Sequence, residues 1–217
     1  MSDGNSEQDT HKICIWEDKS ICNSCEIKGK LHCHSQRRLS MYFILSFLTF
    51  FISVLLGLVY ANYNLILLFI ILIVWFGYML LFFNLWESRV LCSHCPYYAN
   101  ENHRVLHCYA NAGILKTSKY NPRPMNRSEK IQFLIGVIIL MGYPIPFLII
   151  KQQYIFLSFS IIGIILWLIL IQTKICTICI NFSCPLNRVE KKYRDIFLKK
   201  NPEMKKAWEE NGYEFDK

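Results

Sequence analysis

Four stretches of this chain are so apolar that a bilayer is the only solvent suited to all of them. Tyr42 to Tyr60, Leu65 to Phe83, Ile131 to Ile150 and Ile155 to Ile171 consist almost wholly of Leu, Ile, Val, Phe and small residues. Each is close to the roughly 20 residues with which a helix crosses about 30 Å of hydrocarbon. The fourth holds thirteen Ile, Leu or Phe residues. At about −0.3 to −0.6 kcal/mol each near a helix centre, these favour insertion by about 4 to 8 kcal/mol. No window shows the polar stripe of an amphipathic soluble helix. The overall balance, 53% apolar and 18% charged among 217 residues, excludes a disordered chain and is far from that of an ordinary soluble domain.

The connections predict the topology. Ala61, Asn62, Tyr63 and Asn64 join the first two windows, and Lys151, Gln152, Gln153 and Tyr154 join the last two. Links this short make two helical hairpins, at 42–83 and 131–171, and send residues 1–41, 84–130 and 172–217 to a single face. That face carries every one of the 24 Lys and Arg residues except Lys151, so the positive-inside tendency makes it cytoplasmic, with both termini inside. The expected fold is an all-α integral membrane protein with four transmembrane helices as two hairpins and a Cys-rich cytoplasmic layer. The first ten residues, with Asp3, Glu7 and Asp9, read as a disordered acidic start.

All ten cysteines fall in that layer. In a reducing compartment, clustered cysteines point to metal ligation or redox chemistry rather than structural disulfides. The first cluster is Cys14-x7-Cys22-x2-Cys25-x7-Cys33, flanked by His32 and His34. It is a complete local set of four thiolates, with Cys22 and Cys25 spaced to meet one ion from a single turn. The second has Cys92-x2-Cys95-Pro96 and then Cys108, with His107 or His103 as the natural fourth ligand and His94 expected to face away or to support the ligands. The third, Cys176-x2-Cys179-x4-Cys184-Pro185, has three thiolates and no local histidine. Zinc there needs a ligand from elsewhere; an iron–sulfur cluster is the alternative, since the Cys-Pro ending partly echoes the ferredoxin run. The metal-ligating candidates are therefore Cys14, Cys22, Cys25, Cys33, Cys92, Cys95, His107, Cys108, Cys176, Cys179 and Cys184, and the cofactor is a zinc ion, an iron–sulfur cluster or both. Each hairpin is followed closely by a Cys-x-x-Cys, at Cys92 and at Cys176, which suggests a duplicated unit.

The remaining features narrow the function. No ionisable residue lies inside the four windows, which argues against proton pumps, ion transporters and voltage sensors. Pro144 and Pro146 remove two backbone donors from the third span and predict a kink. Ser53, Gly57, Ser160 and Gly163 permit close helix approach. In the tail, Leu186, Val189, Tyr193, Ile196 and Phe197 form one face of a basic amphipathic helix, suited to lie on anionic lipid or to cover the metal sites. Asn201 and Pro202 are expected to cap and begin a second short helix running to Glu210.

Three functions compete at this level. The leading one is a membrane metalloprotein whose clusters organise a cytoplasmic layer that docks a protein partner, with the anionic bilayer as its other partner and no role for nucleic acid. The second is an electron-transfer subunit passing electrons from iron–sulfur clusters to a quinone or a partner. In topology and in the motifs at Cys92, Cys95, Cys176, Cys179 and Cys184 the chain resembles membrane ferredoxin subunits, which implies that role, although the paired full ferredoxin runs of such subunits are missing. The third, a thiol-dependent membrane transferase, would rest on Cys108 beside His107; the Asp-His-His-Cys motif of membrane palmitoyl transferases is absent.

Overall fold

The computed structural model describes residue 11 and residues 13–16, 21–34, 37–100, 102–108 and 110–216. The acidic start expected at residues 1–10 lies outside this set. Among the described residues there is no strand, and four helical segments are long and apolar enough to cross a membrane: Arg38–Tyr60, Leu65–His94, Arg127–Ile150 and Tyr154–Ile175. Their outer faces expose side chains such as Ile66, Phe69, Ile138 and Ile155, a continuous apolar surface of a kind that water does not tolerate.

Helix α1 (Arg37–Tyr60) is followed by α2 (Leu65–Leu81), whose first turn is capped by Asn64 accepting from the Ile66 N–H at 3.0 Å. The second segment does not stop at Phe83. It widens into a π-helical turn over Phe82–Glu87 and continues as α3 (Ser88–Val90). Glu87 and Arg89 thus ride on the same helical segment as the second span, beyond the apolar window that ends at Phe83. The last span behaves alike: α6 (Tyr154–Leu170) ends in a π turn over Ile171–Ile175. The second π turn stands directly before Cys176 and residues 88–91 separate the first from Cys92, and such turns recur at functional sites.

The third span breaks as its prolines predict, into α4 (Arg127–Gly142) and α5 (Ile145–Ile150). The carbonyl of Leu140 would accept from residue 144 in an unbroken helix, but Pro144 has no N–H to give. The Trp75 indole N–H supplies the bond instead, at 3.0 Å from that carbonyl, so the kink is fastened to α2. At its other end α4 begins with a full capping box: Asn126 accepts from the Glu129 N–H and the Glu129 carboxylate accepts from the Asn126 N–H, both at 2.8 Å. The Arg123 guanidinium holds the same carboxylate with two bonds, at 2.9 and 2.6 Å.

The most extensive helix packing joins α1 to α6. A Cβ on Gly163 would stand 2.9 Å from backbone atoms of Phe50, and one on Gly57 would stand 2.7 Å from Leu148 and Phe156 side chains. These glycines allow the contact, as their spacing suggested. Phe50, Val54 and Leu58 of α1 bury there together with Trp75, Leu148 and Trp167.

A second core lies outside the spans. Ile13, Ile15, Ile27 and Leu31 pack with Tyr97, Tyr98 and Leu106, and with Ile180, Phe182, Phe197, Met204 and Trp208 from the tail. Three segments far apart in sequence thereby form one body. Backbone bonds stitch it: the His32 N–H donates to the Ile178 carbonyl at 2.8 Å and the Tyr97 hydroxyl donates to the His32 carbonyl at 2.8 Å. The tail forms α7 (Lys191–Lys200) and α8 (Pro202–Glu210), with Gly212 at φ +82° just after α8. The apolar side of α7 packs into this core through Phe197 and Leu198. Asn201 is the N-cap residue of α8 and Pro202 its first residue, as expected, although the Asn201 side chain makes no capping bond to that helix. Its Oδ1 accepts from the Cys14 N–H at 2.8 Å and its Nδ2 donates to the Phe197 carbonyl at 2.6 Å, which ties the tail to the first cysteine.

Candidate metal centre

The N-terminal cysteines come together as one group. Cys33 lies within electrostatic reach of Cys14, Cys25 and Cys22, and burial followed by these neighbours pushes its thiol up to about 12. The Cys22 Sγ is 3.4 Å from the His34 Nε2. The Lys200 ammonium donates to the Cys25 Sγ at 3.3 Å and the Asn201 Nδ2 approaches the Cys14 Sγ at 3.5 Å. Two residues at the end of α7 therefore lie over a site built from residues 14–34. Turns make this possible: Gly29 sits at φ +76°, a conformation that favours glycine, where the chain returns from Cys25 toward Cys33.

The second and third cysteine motifs, which the sequence presents as separate sets, converge on one place. Cys92, Cys95, Cys108, Cys176, Cys179 and Cys184 all line a single cavity of about 160 Å³. Cys95 is within electrostatic reach of Cys179, Cys108 and Cys184, and Cys92 of Cys108 and Cys95. The third motif's missing fourth donor is thus available from the second motif, not from Cys14 or a histidine. Asn181, in the loop after Cys179, donates to the Leu91 carbonyl at 3.2 Å and fixes the two motifs side by side.

The sulfurs of this group receive two opposed influences. Burial pushes the Cys108 and Cys176 thiols up to about 12 and raises Cys95 and Cys184 as well, the charged neighbours adding to the effect. Backbone N–H groups act the other way: Tyr97 donates to Cys95, Ala110 and Asn111 to Cys108, and Leu186 to Cys184. The Asn111 Nδ2 adds a bond to the Cys92 Sγ at 3.2 Å. Amide donors aimed at a sulfur favour its anionic form, and a low-polarity wall disfavours it. A cation held by the sulfurs satisfies both, and metal-bound thiolates are tuned by hydrogen bonds of this kind.

The sulfurs converge without forming a ligand set: among the described residues no three Cys, His, Asp or Glu groups are arranged to hold an ion. His107 is not brought to the sulfurs of the cavity. It is exposed, with its ring 4.6 Å from that of His103 and 6.4 Å from that of Trp16. His94, between the paired cysteines, turns away. Its ring is buried, with Nδ1 2.9 Å from the Arg123 carbonyl and Nε2 3.5 Å from Glu129, so it braces the loop against the start of α4.

Several residues at this site escaped the sequence reading. Glu87, Asn111 and Asn181 are buried and line the cavity. A signal existed for Glu87, since it lies close to the helical phase of Phe82 and Phe83 once the second helix is allowed to run on. Asn111 and Asn181 carried none. Fold and site together define an all-helical chain with four membrane-length helices and two groups of converging cysteines. No protein-family model, curated protein or solved structure matches it.

Proposed function

We propose that this protein is an integral membrane metalloprotein with two thiolate centres, one in Cys14, Cys22, Cys25 and Cys33 and one drawn from the six cysteines of the cavity. Its spans lie as two hairpins, and its cysteine layer and both termini face the cytoplasm, beside anionic headgroups. The layer serves as a docking scaffold for a protein partner, stiffened by the metal. The observation that carries this reading is the convergence of six sulfurs from residues 92–108 and 176–184 on one cavity, with backbone amides directed at three of them. Metal binding closes the remaining gaps, because the ion's free energy is available for ordering loops that bring its ligands in.

Anaerobic purification followed by zinc, iron and acid-labile sulfide analysis tests it. Bound zinc or matched iron and sulfide is the expected result; the absence of all three from folded protein overturns the reading. A visible spectrum that bleaches with dithionite assigns the electron-transfer role, and a colourless zinc-only preparation excludes that role. Sidedness is read separately: an impermeant thiol reagent added to intact cells is expected to leave all ten cysteines unlabelled.

A further inference from the structure

The cavity that the cysteines line is not walled by them alone. Its remaining wall comes from the spans, with Phe43 and Phe47 of α1, Val137 of α4 and Trp167 of α6 among the contributors. The space, about 160 Å³, is comparable with the roughly 150 Å³ apolar cavity that stays dry and accepts benzene in an engineered protein. It is not wholly apolar. Glu87 Oε2, Trp167 Nε1 and Asn181 Oδ1 are buried polar atoms with no hydrogen-bond partner among the described residues, and all three residues line this one cavity. Each residue is more than nine-tenths buried. Buried polar atoms are nearly always paired, so three orphans around one void point to an occupant that pairs with them.

The lining restricts that occupant. It contains no Lys, Arg or His, so an anionic headgroup or a fatty-acid carboxylate would meet Glu87 with no counter-charge. A bare cation, in turn, offers no acceptor to the Trp167 N–H, so an uncharged ligand fits this part of the lining. It has an apolar body, to match the spans, and a flat ring suits the aromatic walls, where offset and edge contacts add to simple burial. It also presents oxygens: one must accept from the Trp167 N–H, and another must exchange a hydrogen bond with Glu87. We infer that the cavity between the spans and the cysteine layer is a binding site for the ring of a lipid-soluble quinone. A quinone carbonyl accepts from Trp167 and from the carboxylic acid form of Glu87, and a quinol hydroxyl donates to the carboxylate form or to the Asn181 Oδ1. The assignment does not require the metal reading, because it is argued from the three orphaned atoms and the apolar walls and not from the sulfurs.

The test is equilibrium binding of a tritiated short-chain benzoquinone to the purified full-length protein in detergent, run on metal-loaded and on chelator-treated samples. The expected result is saturable binding of one quinone per chain. Val137→Trp, which fills the void, removes it. Trp167→Phe keeps an aromatic wall but deletes the N–H along with part of the ring, and weakens binding about five- to tenfold. Unlabelled diacylglycerol fails to compete. Absence of saturable binding, an unchanged affinity in Trp167→Phe, or equal displacement by diacylglycerol overturns the assignment. The two readings fail separately. Quinone binding by protein that carries neither zinc nor iron as purified, before any chelator, removes the metal centre alone, and metal-loaded protein that does not bind quinone removes this site alone.

Discussion

The two cysteine groups differ in how they are made. The N-terminal group is written within twenty residues, Cys14 to Cys33, and its sulfurs contact polar groups, His34, Lys200 and Asn201. The six-cysteine group is assembled from two segments whose Cys-x-x-Cys motifs each follow a π-helical turn at the end of a span. It lines a largely apolar cavity and receives its hydrogen bonds from backbone amides and from the Asn111 side chain. One site is closed by local chain geometry and covered by the tail, and the other exists only if the spans hold their packing. Disturbing the helices should therefore damage the second site and spare the first.

The largest effect expected comes from the helix contact itself. Gly163→Val drives a branched side chain into the Phe50 backbone, and overpacking of this kind costs about 1 to 3 kcal/mol or more. Thermal melting in detergent should fall accordingly, and metal should be lost from the six-cysteine site in preference to the N-terminal one. Equal loss from both would dissolve the distinction. Metal content then separates the groups directly. Cys95→Ser and Cys179→Ser should each remove the same metal, with the double variant losing no more than either alone, whereas Cys25→Ser combined with Cys179→Ser should lose both. Additive loss for Cys95 and Cys179 would show that the second and third motifs are separate sites after all.

A smaller effect is expected at the kink. Trp75→Phe leaves the Leu140 carbonyl buried without its donor, a cost of about 1 to 3 kcal/mol. Pro144→Ala returns a backbone N–H to that carbonyl, so the Trp75→Phe penalty should shrink in the Pro144→Ala background; a penalty unchanged there would refute the account of the kink. At the N-terminal group, Asn201→Ala removes the bond to the Cys14 N–H and should cost about 1 kcal/mol, seen as a several-fold weaker metal affinity at that site with the six-cysteine site unaltered.

The pH dependence sharpens the contrast between metal-free and metal-bound protein. Cys33, Cys108 and Cys176 are pushed up to about 12 from an ordinary 9.0. The folded metal-free protein therefore binds more protons than the unfolded chain between these values. Its stability is complete below pH 9 and declines as pH rises toward 12. Metal binding must displace the same protons, so affinity runs the other way and falls as pH falls. Denaturant midpoints measured with and without chelator should diverge above pH 9, and parallel curves would contradict thiolate ligation.

Much of this was legible in the residues alone. Four apolar windows bounded by Asn62 and Lys151 turns, the break at Pro144 and the closeness that Gly163 allows all follow from local chemistry, because span length, a missing backbone N–H and a missing Cβ act over a few residues. The same holds for the N-terminal cysteine group, whose ligands are neighbours in the chain. The illegible part depends on distance. Glu87 belonged to a loop until the second helix ran beyond Phe83, and of the two uses expected for the tail face, lying on lipid or covering the cysteine sites, the packing of Phe182 on Phe197 at 5.3 Å is in keeping with the second. Asn201 is the N-cap residue of α8 that the sequence suggested, but its side chain is spent on the tie to Cys14. The sequence by itself determined how many helices can span a membrane and that sulfur chemistry gathers beside them. Only the tertiary structure decided that the second and third motifs share one cavity and that the cavity opens against the spans. Those facts depend on which surfaces of segments some eighty residues apart bury against each other, and a pattern read along the chain does not record that.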